Sequence, residues 1–81
     1  MNSGPHRLSA AFSTHLGTVS SFDSHIGAGE VTERATARTW FFHCTRIADG
    51  SRSIEEGTAV EFEVAPGPNG LEAVGLRPVA G

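Results

Sequence analysis

Trp40-Phe41-Phe42-His43-Cys44-Thr45-Arg46-Ile47 is the stretch that decides the fold. Its first half is rich in aromatic residues, which favour a pleated, half-buried strand. Successive side chains of a strand point to opposite faces, so Trp40 and Phe42 share one face while Phe41 and His43 share the other. We expect Trp40 in the core and the second pair on the outer face of a sheet.

Further strands are predicted on either side of this one. Residues 58–64 alternate apolar and acidic side chains, with Val60 and Phe62 inward and Glu61 and Glu63 outward, which is typical of a sheet with one buried face. Turn residues and glycines bound the other segments. The predicted strands are therefore 16–22, 27–33, 36–43, 58–64 and 71–79.

Two connections stand out between these strands. Residues 44–57 are mostly polar and predict a long connection that opens with a short helical turn, with Ile47 and Ile54 fixing it to the core. Residues 66–70, Pro-Gly-Pro-Asn-Gly, predict a turn that no strand includes, because proline cannot donate to a ladder. This arrangement predicts an all-β, five-stranded barrel, although an SH3-like barrel fits the same pattern.

Composition limits the possible classes of protein. With 81 residues and ten glycines, the chain suits one small domain that buries only ~60% of its unfolded surface. A single cysteine, Cys44, excludes an intrachain disulfide, and no apolar run approaches the roughly 18 residues of a membrane-spanning helix. We therefore expect a cytoplasmic location and no membrane association.

Charge argues against a protein that binds mainly through phosphates. Six basic and nine acidic residues give a net charge of −3, and the chain contains no lysine. Electrostatic attraction to nucleic acid must therefore be weak or local.

Over residues 16–79 the chain resembles the bacterial cold-shock domain family. The resemblance is carried by motifs that occur in the family's order and spacing, namely Gly17-Thr18-Val19, Phe22-Asp23, Gly27-x-Gly29-x-Val31, Phe41-x-His43-x-Thr45-x-Ile47 and Glu56-Gly57-x-x-Val60-x-Phe62. It implies an oligonucleotide-binding (OB-fold) barrel at 15–81. It also implies binding of single-stranded RNA or DNA by base stacking on a sheet face. Residues 1–14 show neither helical nor strand periodicity, which predicts a flexible tail before the domain.

Several aromatic and basic positions of that family are lost here. Ile26-Gly27-Ala28-Gly29-Glu30-Val31 stands where the family has Lys-Gly-aromatic-Gly-aromatic-Ile, and Ser21, Cys44 and Ser51 stand at further aromatic positions. Stacking on an aromatic is worth ~1–3 kcal/mol per base, so three losses remove several kcal/mol. We therefore expect weak binding with little sequence specificity.

The resemblance implies which residues bind nucleic acid. They are Phe22, Phe41 and His43, with Arg38, Arg46 and Arg52 as phosphate contacts. The alternative is that the rings are ordinary half-exposed sheet residues and the arginines solvated surface charges.

No chemistry is expected of this chain. Cys44 and His43 are adjacent on a strand, so their side chains point apart and cannot easily form a nucleophile and base. The histidines lack metal-ligand spacing, and we expect no catalytic residue, metal or cofactor.

Two functions remain open from the sequence. The first is a monomeric, non-enzymatic cold-shock-like protein that binds single-stranded RNA or DNA weakly. The alternative is a protein-interaction OB-fold module that has lost nucleic-acid binding and uses an apolar patch around Ile26, Ala28 and Phe41.

Overall fold

Five antiparallel strands and a short 3-10 helix make up the part of the chain that the structure, a computed structural model, describes: residues 14–79. The strands are β1 His15–Asp23, β2 Ala28–Glu33, β3 Thr39–His43, β4 Ala59–Gly67 and β5 Gly70–Pro78, and the helix is Cys44–Arg46. Of the predicted tail at 1–14, residues 1–13 lie outside the described residues. Within 14–79, no helix is long and apolar enough to cross a membrane.

The strands form one sheet in the order β3-β2-β1-β4-β5. Its two end strands approach each other, and the chain just after the helix joins the last strand through a parallel bridge between Ile47 and Leu76. The Ala48 amide also donates to the Leu76 carbonyl oxygen at 2.7 Å. The predicted five-stranded OB-type fold is confirmed, as an incompletely closed barrel in which no continuous ladder joins β3 to β5.

Apolar side chains from all five strands fill the inner face of the sheet. Trp40 and Phe42 point inward as predicted, at 7% and 0% exposure. Ile47 is buried and Ile54 packs against the core, so both fix the long connection as expected. Fully burying a side chain of this size stabilises the fold by about 1.5–3 kcal/mol. The buried set is Val19, Val31, Trp40, Phe42, Ile47, Val60, Phe62, Ala73 and Leu76.

A buried carboxylate joins β1, β2 and β3. Glu33 accepts hydrogen bonds from Trp40 Nε1 at 3.2 Å and Thr36 Oγ1 at 3.3 Å, and it lies 2.9 Å from His15 Nδ1. These partners hold the pKa of Glu33 below its ordinary value, with the hydrogen bond to His15 as the largest cause. Burial opposes them, but the hydrogen bonds to the ionised form outweigh it.

The prediction that no strand includes Pro66 was wrong. β4 continues to Gly67, which pairs with Gly70, so the turn is reduced to Pro68 and Asn69. Pairing of β4 with β1 ends at Phe62, so within residues 14–79 the rest of β4 pairs with β5 alone. Proline is tolerated there because its missing N–H is not needed by a second ladder.

The third strand begins later than predicted, at Thr39 instead of Thr36. Thr36 Oγ1 donates to Glu33 Oε1 and accepts from the Arg38 amide at 3.1 Å, and Ala37 takes a φ of 61°. The side chain thus stabilises a turn that competes with the strand.

The two outward glutamates of β4 are engaged by one arginine of β5. Arg77 Nε donates to Glu61 at 3.0 Å and Arg77 Nη2 donates to Glu63 at 2.8 Å. The hydrogen bond from Arg77 holds the pKa of Glu63 below its ordinary value. These acidic side chains are therefore partners in a cross-strand ion-pair cluster in addition to being surface charges.

Candidate nucleic-acid interface

The outer face of β1, β2 and β3 carries two cross-strand rows. Ser21, Glu30 and Phe41 form the first row by their register, and Asp23, Ala28 and His43 form the second. Residues directly opposite one another in a sheet share a face. Phe41 is half-buried and His43 is exposed, so the sheet presents both rings on the side away from the core.

An open groove begins at these two rings. It has a volume of about 190 Å³, and its second wall comes from the hairpin between β4 and β5. The two walls are far apart in the chain and meet because the sheet curls. The lining residues are Phe41, His43, Thr45, Arg46, Pro68, Asn69 and Glu72.

The 3-10 helix holds one end of the groove in place. The Cys44 amide donates to the Gly27 carbonyl oxygen at 2.8 Å, which ties the start of the helix to the turn before β2. The helix then brings Thr45 Oγ1 to 3.3 Å from His43 Nδ1. The imidazole is thereby oriented at the rim, while Cys44 packs against the core with Sγ 4.0 Å from His43 Nδ1. The expectation that these two side chains point apart on one strand was wrong, because β3 ends at His43 and Cys44 begins the helix.

The predicted arginines do not gather at one place. Arg46 is exposed and lines the groove beside the two rings. Arg38 lies at the opposite end of β3, with its guanidinium carbon 4.2 Å from the centre of the Trp40 ring. Arg52 is exposed on the long connection, where it takes a φ of 65°. Of these three arginines, Arg46 therefore adds a positive charge to the groove itself.

Phe22 occupies a different face from Phe41 and His43. Its cross-strand partner is Gly29, which in turn pairs with the buried Phe42. The rings of Phe22 and Phe42 are nearly parallel, at 11°, with centres 5.9 Å apart. Gly29 allows this contact, because a Cβ there would lie 3.0 Å from Phe42 Cζ and collide with the Ser21 carbonyl oxygen. Phe22 thus packs on the core side of the sheet, beneath the face that carries Phe41 and His43.

Sequence reasoning did not find the wall that β5 supplies. Glu72 lines the groove although it is only 3% exposed, and the Asn69 amide approaches its Oε2 at 3.5 Å. Gly67 leaves the space for it, since a Cβ at Gly67 would collide with the Glu72 carboxylate. The available signal was the Pro-Gly-Pro-Asn-Gly turn followed by an acidic residue beside Ala73, but alternation alone does not identify a groove.

Among residues 14–79, no group of three His, Cys, Asp or Glu side chains is placed to hold a metal ion. The groove offers aromatic faces, one guanidinium and one carboxylate. Such a surface can bind a flat ring and its polar edge by stacking and hydrogen bonding.

A small, curled antiparallel sheet with rings on its outer face and a groove across its ends defines an OB-type binding domain. Residues 15–79 match the family described as the 'Cold-shock' DNA-binding domain. The chain therefore belongs to the cold-shock domain family and is a cold-shock-like, single-stranded nucleic-acid-binding protein. The alternative of an OB module that has lost nucleic-acid binding is not favoured.

Relatives with curated names agree with this membership. The chain is 41% identical over 64 residues to the cold shock-like protein CspA of Stigmatella aurantiaca, covering 78% of this chain and 94% of the relative. It is 38% identical over 64 residues to the probable cold shock protein A of Mycolicibacterium smegmatis, covering 78% and 96%.

A solved structure supports the fold. The chain superposes on drosophila Unr CSD456 with a TM-score of 0.72 at 24% identity, covering 96% of this chain and 32% of that chain. At this identity the likeness concerns the fold alone.

Proposed function

We propose that this domain binds single-stranded RNA or DNA weakly, by stacking bases on Phe41 and His43 while Arg46 contacts a phosphate. The observation that carries the proposal is that these three side chains line one open groove. Stacking tolerates every base, since each base has a π-face. The resulting binding has little sequence specificity and involves no chemical step.

Weak affinity follows from the neighbours of the two rings. In the first outer row a glutamate lies next to Phe41 and a serine lies beyond it, and in the second an alanine lies next to His43 and an aspartate beyond it. None of these four can stack on a base, and two of them are acidic. A carboxylate beside a stacked nucleotide also repels its phosphate.

Phe22, Arg38 and Arg52 have supporting roles in this proposal. Phe22 packs against Phe42 on the core side of the sheet, beneath Phe41 and His43. Arg38 and Arg52 are exposed outside the groove and can meet phosphates only of a strand that extends beyond it.

The test is an anisotropy titration with fluorescein-labelled single-stranded hexanucleotides and with the matching duplex. Single strands should bind and the duplex should not, because a duplex hides the base faces. An amide-shift map recorded with the same hexanucleotide should place the largest changes at Phe41, His43 and Arg46. Equal binding of the duplex, or shifts confined to the opposite side of the sheet, would contradict the proposal.

We also propose that this protein is monomeric and acts in the cytoplasm. The free thiol of Cys44 fits a reducing compartment. Light scattering after size exclusion and cell fractionation test these two points.

A further inference from the structure

Among the described residues, the Glu72 carboxylate receives fewer hydrogen bonds than its buried oxygens can accept. Its side chain is almost completely removed from solvent, yet the protein hydrogen bond it receives, from the Asn69 amide, measures 3.5 Å. An ionised carboxylate can accept about four hydrogen bonds. Buried acceptors left without partners are costly, so a carboxylate in this position is suited to a ligand that brings donors.

Arg46 lines the same groove without neutralising that carboxylate. Within residues 14–79, the arginine that forms ion pairs is Arg77, which pairs with Glu61 and Glu63 on other parts of the sheet. The groove therefore presents a donor group, Arg46, and an acceptor group, Glu72, beside a ring on which a base can stack.

The four bases differ in how well their edges fit such a pair. Guanine has two adjacent donors, N1–H and the N2 amino group, next to the O6 and N7 acceptors that arginine recognises. Cytosine and adenine place a single amino group beside an acceptor nitrogen. Thymine and uracil place their one N–H between two carbonyl oxygens, which a carboxylate repels.

We propose that Glu72 is a specificity-determining residue that makes this groove prefer guanine, by accepting from N1–H and the N2 amino group. Arg46, whose guanidinium carries five N–H donors, donates to O6 or N7 in addition to its phosphate contact. The inference rests on the proposed function, because it requires a base stacked on Phe41 or His43. It adds a preference at one nucleotide position to binding that is otherwise indifferent to sequence. With a volume of about 190 Å³, below the roughly 300 Å³ of a common small-molecule pocket, the groove suits one base.

The experiment compares labelled oligothymidine hexamers that carry one central guanine, hypoxanthine, 1-methylguanine or thymine. Hypoxanthine lacks the N2 amino group and 1-methylguanine carries a methyl group in place of the N1 proton, while both keep the purine ring that stacks. Guanine should bind about tenfold more tightly than either of the other two, the loss expected for one hydrogen bond to a charged group. These comparisons need no protein variant.

Glu72→Gln then tests the residue. The glutamine amide places an N–H donor where guanine also has donors. The ratio of the affinities for guanine and hypoxanthine should therefore fall to within about twofold. The matched control is Glu30→Gln, which removes the same charge from an exposed site opposite Phe41. It should strengthen binding of every hexamer and leave the ratio unchanged.

The outcomes separate the two proposals. Binding of all four hexamers with equal affinity, or a ratio that survives Glu72→Gln in a variant with an unchanged circular dichroism spectrum, would overturn the guanine preference and leave the proposed function standing. If none of the four hexamers binds the unaltered protein, the proposed function itself is contradicted.

Discussion

Glu30 and Phe41 lie directly opposite each other on β2 and β3, on the sheet face that points away from the core. A negatively charged side chain thus stands next to the ring that we propose for stacking. The sheet holds the backbones of this pair in fixed register, so the carboxylate stays within reach of a base stacked on the ring.

Replacing Glu30 with phenylalanine should therefore raise affinity for single strands. The change adds a ring for one more base, worth ~1–3 kcal/mol, and removes a repelling charge. Anisotropy titration with a pyrimidine hexanucleotide measures it, and Glu30→Gln separates the charge from the ring. The stacking proposal fails if Glu30→Phe binds no better than Glu30→Gln.

Phe41→Ala should have the opposite effect. Loss of a stacking face should weaken binding by about five- to 150-fold, the equivalent of ~1–3 kcal/mol. Because Phe41 is half-buried on the outer face, the melting temperature should fall less than in Phe42→Ala, whose ring is completely buried and whose loss costs about 3–5 kcal/mol. Unchanged affinity in a folded Phe41→Ala variant would contradict the proposed site.

Phe22→Leu should lower stability more than affinity. The leucine keeps apolar volume but loses the parallel contact with Phe42, so we expect a loss of about 0.5–1.5 kcal/mol in a chemical denaturation experiment. Affinity measured well below the melting temperature should change by less than about twofold if Phe22 does not contact bases. A large loss of affinity with unchanged stability would instead place Phe22 in direct contact with the ligand.

Binding should weaken with salt through Arg46. For single strands the logarithm of the binding constant falls by about 0.7 per phosphate contact for each tenfold rise in salt. Arg46→Ala should reduce that slope by about 0.7. Arg77→Ala is the control, because Glu61 and Glu63 already engage that guanidinium and its removal should cost stability without altering the slope. Equal slopes in the unaltered protein and Arg46→Ala would exclude the proposed phosphate contact.

Acid should destabilise the domain through Glu33. Its pKa is lowered in the folded state, chiefly by the hydrogen bond with His15 and next by that with Trp40. A lowered folded pKa contributes stability above the unfolded value of roughly 4.3, and that contribution is lost as the pH falls through the folded pKa. Denaturation curves recorded between about pH 3 and 6 should show that the free energy of unfolding falls less steeply with acid in Glu33→Gln than in the unaltered chain. The same pH dependence of stability in both proteins would contradict this role of Glu33.

The fold could be predicted because local patterns determine it. Alternation placed Trp40 and Phe42 inside and Phe41 and His43 outside, and the structure confirms this arrangement. Phe22, which the resemblance implied as a base contact, lies on the other face because the ladder between β1 and β2 is irregular between Val19 and Ser21. That extra residue reverses the parity, so Phe22 joins the buried side together with Val19.

The candidate site could be predicted only in part, because half of it comes from a distant segment. Phe41, His43 and Arg46 belong to one continuous stretch of sequence, whereas Glu72 reaches them only through the curl of the sheet. Strand order and curvature are properties of the whole fold. No period in the sequence around residue 72 indicates which groove its side chain will line.

The single bridge between Ile47 and Leu76 has a mechanical consequence for the bound state. The groove spans the gap between β3 and β5, the two end strands of the sheet, with one wall on each side. A nucleotide bound there contacts both walls and so adds contacts across a gap that is otherwise closed by few backbone interactions. The amide proton of Ala48, which donates to the Leu76 carbonyl oxygen across this gap, should then exchange with solvent more slowly once an oligonucleotide is added, because occupancy of the groove stabilises closure of the barrel.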